Sequence, residues 1–134
     1  MKMYINLQID YLSWFIFGVL FSIFPKEALK FMTNIKLDNV HIHMMRVFGL
    51  LCIYTSLPSY IIYQKIINNR DNFNNFKDIK TEINLIFKSR IIISLVILVS
   101  MFYTHSLNSN WSNGHYYGKF GLILNIINSY FGII

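Results

Sequence analysis

The sequence predicts an all-α integral membrane protein: a four-transmembrane-helix bundle with a short in-plane amphipathic helix between spans 1 and 2. Three observations carry that expectation. Hydrophobic residues make up 54% of the 134-residue chain and charged residues only 13%, against about 25% charged in a soluble domain. Mean hydropathy is +0.43. The apolar residues gather into runs near 3–24, 43–63, 84–104 and 116–134, with lysines and arginines at the ends, where they meet lipid headgroups. A chain this short holds one domain, 1–134.

The net charge of +6 and pI near 9.5 would point to nucleic acid in a soluble protein. No basic face with interleaved aromatics lies outside the apolar runs, so nucleic acid is not expected as a partner. The single cysteine, Cys52, sits in an apolar run and reads as a core thiol. The first run lacks a signal-peptide cleavage pattern and reads as a retained span.

Span 1 is apolar without interruption only over 11–24, about 21 Å of helix, short of a core of about 30 Å. The helix must therefore reach back through Asp10, Gln8 and Asn6. Asn6, Asp10 and Ser13 then share a face. A carboxylate so deep needs a partner.

Pro25 followed by Glu27 opens a short helix over 25–33. Ala28, Leu29 and Met32 can lie on lipid while Lys26, Lys30 and Lys36 face headgroups. Asp38 or Asn39 is the candidate N-cap of span 2. Arg46 can snorkel at its mouth. Pro58 strips the carbonyl of Tyr54 of its helical donor, and Thr55 and Ser56 are placed to soften the kink.

The stretch 64–81 is a polar, Asn-rich connector, with Asp78 or Thr81 as cap of span 3. That span is uninterrupted only over 91–103 and must reach back through Arg90 and Lys88. Arg90 therefore also needs a partner. A loop carrying the sequon Asn110-Trp111-Ser112 leads to span 4.

Span 4 carries a stripe. Gly114, Gly118, Gly121, Asn125, Asn128 and Gly132 fall alternately four and three residues apart, on one face. Gly118, Gly121 and Gly132 are the expected helix-packing positions, with the Gly118–Gly121 end giving close backbone approach. Phe120, Ile127 and Phe131 are left for lipid or a partner. Four spans put both termini on one side. Lys2, Lys65, Arg70, Lys77, Lys80, Lys88 and Arg90 fall there, against Lys26, Lys30, Lys36, Arg46 and Lys119 opposite, which favours cytoplasmic termini.

Two constellations carry chemistry. At about 1.5 Å per residue, Asp10, Arg90 and Asn128 lie about 21, 20 and 18 Å from the outer ends of their spans. They predict a buried polar cluster of Asp10, Arg90, Asn125 and Asn128 that fixes helix neighbours. A relay needs groups at several depths, and only one level is populated. All four histidines, His41, His43, His105 and His115, fall on the opposite side, where they could bind zinc or iron with Asp38 or Glu27. His41 and His43 are not spaced as a helical ligand pair, so no cofactor is expected.

No phosphate loop, nucleophile elbow or inverted repeat occurs. The expected function is a non-catalytic accessory or regulatory subunit of a larger membrane complex, such as an ion pump, transporter or respiratory assembly. Its partners are a larger integral membrane protein and lipids. The alternatives are a membrane-embedded metal-dependent enzyme using the histidines, and a small oligomeric channel or proton-coupled carrier.

Overall fold

The computed structural model describes residues 2–68, 76–107 and 112–133. Five helices follow in order: α1 (Lys2–Ile23), α2 (Pro25–Met32), α3 (Asn39–Asn68), α4 (Phe76–Leu107) and α5 (Asn113–Gly132). No strand occurs among the described residues. Three helical stretches, Tyr4–Ile23, Asn39–Asn68 and Ile79–Tyr103, are long and apolar enough to cross a membrane. The stretch expected as span 4 is not among them. Its three asparagines, His115 and Lys119 dilute the apolar residues of α5, although 20 residues give about 30 Å of helix.

The Asn-rich connector is shorter than the sequence suggested. Its polar ends continue α3 to Asn68 and begin α4 at Phe76, leaving 69–75 outside the described residues. Asp78 and Thr81 thus lie inside α4, not at its cap. At the other end of α3 the cap is Asp38, whose carboxylate accepts from the His41 backbone N–H at 2.9 Å. This satisfies one of the free donors of the first turn. Asn110 of the sequon lies outside the described residues.

The long helices pack unevenly. α1 lies most closely along α3, and α4 along α5. The α1–α3 contact is a reciprocal glycine crossing. A Cβ built on Gly18 would lie 2.7 Å from the Ile53 backbone nitrogen and 2.8 Å from the Gly49 carbonyl oxygen. One on Gly49 would lie 2.6 Å from the Ser22 nitrogen. Backbones this near leave no room for a side chain, and helix pairs in lipid gain van der Waals contact that way. No α1 and α4 Cα atoms come within 8 Å among the described residues, so a long side chain must bridge that gap.

Around the termini the bundle is dense. Leu7, Ile62, Ile83 and Phe87 form a buried core from α1, α3 and α4, and Gly132 of α5 rests against the Phe87 ring. At the far end α2 crosses over the bundle. Phe31 stacks on Tyr117 at 5.9 Å, the Ser112 N–H donates to the Met32 carbonyl at 3.1 Å, and Gly114 abuts the Phe31 backbone.

Candidate functional site

Asp10 on α1, Arg90 on α4 and Ser59 on α3 meet in the gap between α1 and α4. Each is at least 96% buried. Arg90 Nε donates to Asp10 Oδ2 at 3.0 Å, and the Ser59 hydroxyl donates to the same oxygen at 2.5 Å. The guanidinium also donates to the Thr55 carbonyl and lies 5.4 Å from the Trp14 ring centroid. A charged pair in a low-dielectric interior is tolerable only with such further bonds. Asp10 Oδ1 has no partner among the described residues.

The two asparagines stand apart from this pair. Asn125 Oδ1 accepts from Ser94 on α4 at 3.0 Å. Asn128 Nδ2 donates to the Asn6 backbone carbonyl at 3.1 Å. They tie α5 to α4 and α1 instead, because the inner face of α5 meets those helices while α3 reaches the ion pair first. Ser59, which the sequence does not single out, and Thr55, expected only to soften the Pro58 kink, take their place. The signal was Pro58: a proline kink loosens nearby carbonyls, and Arg90 takes the one next to the carbonyl that Pro58 strips. Thr55 and Ser56 do bond back along their own helix, to the Leu51 and Ile53 carbonyls.

The stripe on α5 faces inward along its length, with Phe120, Ile127 and Phe131 exposed. Its glycines differ in what they meet. A Cβ on Gly132 would run into the Phe87 ring. On Gly118 it would meet only the flexible tips of Met101 at 3.1 Å and Met32 at 3.7 Å, and on Gly121 only the tip of Phe17 at 4.0 Å. The Gly118–Gly121 end therefore does not bring backbones together; it borders open space. That space is a cavity of about 710 Å³ between the α1–α3 and α4–α5 pairs, also lined by Ser13, Trp14, Asn125 and Asn128.

Among the described residues the histidines do not converge. His41 is exposed and donates from Nδ1 to Asp38 at 2.6 Å. The backbone and ring N–H groups of His41 hold the Asp38 carboxyl below its ordinary pKa. His43 is exposed on α3. His115 is buried on α5, with Nε2 bonded to the Met101 carbonyl at 3.1 Å. The side chain of His105 lies outside the described residues. Glu27 is exposed on α2. Among the described residues no three His, Cys, Asp or Glu side chains group as metal ligands would. Lys119, expected among the headgroups, is instead 5% exposed and covered by Phe102, 4.3 Å from its ring centroid; the ammonium sits on π-faces in place of water.

Residues 2–134 match the family described as "Domain of unknown function (DUF8292)". The chain belongs to that family. No curated protein and no solved structure matches it. The geometry thus carries the functional argument by itself.

Proposed function

We propose that this chain is a non-catalytic accessory subunit that binds a larger integral membrane protein through the exposed face of α3. One observation carries the reading. Tyr54 stands at the middle of the 30-residue α3, is 73% exposed, and its hydroxyl has no partner among the described residues. Tyrosines facing lipid belong at the two interfaces, where the phenol reaches water. A phenol at mid-depth in hydrocarbon lacks its hydrogen bond at a cost of a few kcal/mol. A partner helix with an acceptor at that depth removes the cost. Leu50, Leu57 and Ile61 lie on the same face, all exposed, and provide an apolar surround.

The burial of Asp10 and Arg90 supports the same reading. Their hydrogen bonds run sideways to Ser59 and Thr55 and join neighbouring helices, not successive depths, as an architectural role requires. In this proposal α5 is the fourth span, its polar stripe sheltered by α1 and α4, and both termini are cytoplasmic. Lys65 and Glu82, paired at 3.1 Å and half exposed, then lie at the cytoplasmic face.

The test is a photoreactive residue at Leu50, with Val96 on α4 as the control, in native membranes. The expected result is a stoichiometric adduct with one larger integral membrane protein from position 50 and none from position 96. Tyr54→Phe should weaken co-purification of that protein in mild detergent. Purification as a lone monodisperse monomer, with only lipid adducts at both positions, would overturn the proposal.

A further inference from the structure

The cavity bordered by Gly118 and Gly121 is independent of the α3 face and points to a ligand. It runs along α5 from His115 to Asn128, thirteen residues or about 20 Å. With its volume of about 710 Å³, that length gives a mean section of roughly 35 Å². Carbon atoms approach one another at about 3.5–4.0 Å, and a single extended hydrocarbon chain, widened by its hydrogens and zigzag, still leaves part of that section unfilled. The space suits a wider, ring-bearing body. Its size lies within the range of built small-molecule sites, about 300–1,000 Å³.

The wall specifies the ligand's polarity. No Asp, Glu, Lys or Arg lines the cavity among the described residues, so the ligand is neutral. Most of the lining is apolar, which argues against a water-filled space. A few polar groups nevertheless stand on it with unspent hydrogen-bonding capacity. Asn128 must present Nδ2 to the Asn6 carbonyl, which only accepts, so its amide oxygen points away and has no donor among the described residues. Asn125 gives its oxygen to Ser94, which leaves its amide N–H groups to donate. Trp14 is 8% exposed and its buried indole N–H has no partner among the described residues. A donor and an acceptor one helical turn apart match a hydroxyl, which both accepts and donates. A ketone would leave Asn128 unsatisfied.

We propose that this cavity binds a sterol-like lipid alcohol, its hydroxyl between Asn125 and Asn128 and its rings along Gly118 and Gly121. The two glycines leave a flat floor, and Phe17 and Phe21 form part of the facing wall. Asn128 holds the lower end in register through its tie to α1. The inference stands whether or not the partner on α3 is found, because the cavity lies within one chain.

The experiment uses the full chain in mild detergent with a diazirine- and alkyne-bearing cholesterol as the probe. Labelling is expected to saturate and to map to α1 or α5. Unlabelled cholesterol should compete, the corresponding 3-ketone on the order of tenfold less well for the lost hydrogen bond, and phosphatidylcholine not at all. Gly121→Leu should abolish labelling without lowering the melting temperature. If that variant fails to fold, Gly121→Ala, whose Cβ meets only Phe17 at 4.0 Å, should still weaken labelling severalfold. Equal competition by phosphatidylcholine, or labelling unchanged in the Gly121 variant that folds, would overturn the proposal.

Discussion

In the half of the bundle nearest the termini, Gly132 rests on the Phe87 ring, and Leu7, Ile62 and Ile83 close the core around it. In the half nearest α2, Gly121 meets only the tip of one phenylalanine and the helices stand apart around a cavity of about 710 Å³. The same stripe of small residues on α5 serves both halves. Small side chains close a gap only where the neighbouring helix comes to meet them. Here α1 and α4 are held apart, and what bridges them is the Arg90 side chain reaching Asp10. Toward the termini all the long helices close on one core; toward α2 the α1–α3 pair, itself tightly packed at Gly18 and Gly49, stands apart from α4 and α5.

Breaking the ion pair should have the largest effect. Asp10→Leu leaves a buried guanidinium whose charge nothing compensates, and such losses cost about 3–5 kcal/mol. The variant should shift the unfolding midpoint in a detergent–dodecyl sulfate titration by that amount. The double variant Asp10→Leu/Arg90→Leu should be less destabilised than Asp10→Leu alone, since apolar replacement of both partners is often near neutral. Additive losses would mean that the two residues act separately.

The ion pair was legible in the sequence because each residue lay too deep in an otherwise apolar run to stand alone. Depth arithmetic gave the level, and the level gave the partner. The same arithmetic placed Asn128 nearby, but it carries no angular information, so it could not distinguish Asn125 and Asn128 on α5 from Ser59 on α3. The three long apolar helices followed from composition alone. The expected fourth span is not among them: the polar side chains along α5 lower its hydropathy below that of a membrane-crossing helix. The glycine crossing of α1 and α3 went unread because Gly18 and Gly49 are single glycines on separate helices, with no stripe to announce them. The cavity was illegible for a similar reason. Whether a glycine abuts backbone or borders space depends on where the next helix lies.

Glycine substitutions sharpen the contrast between contact and cavity. Gly49→Leu drives a side chain into the Ser22 nitrogen and Gly18 carbonyl, backbone atoms that cannot turn aside. Overpacking of this kind costs about 1–3 kcal/mol, and the α1–α3 pair should loosen measurably in the same titration. Gly121→Leu places equal bulk where there is room, and should leave the midpoint unchanged or raise it by restoring contacts across the void. Equal losses in the two variants would show that the cavity closes in the membrane.

The smallest effect lies outside both halves, at the N-cap of α3. Asp38 is exposed, and its carboxylate accepts from the His41 backbone N–H. That bond, more than the ring of His41, holds its pKa below the ordinary aspartate value. A carboxylate whose folded pKa is lowered contributes stability above its unfolded pKa of about 3.9 and loses it as pH falls through the lowered folded value. Amide exchange in the first turn of α3 should therefore rise as pH drops below about 4, after the usual correction for intrinsic rates. Asp38→Ala should show the faster exchange at every pH. Asp38→Asn should keep the protection and lose its pH dependence, since an asparagine caps as well as an aspartate without titrating. A pH dependence that survives in Asp38→Asn would place its origin elsewhere.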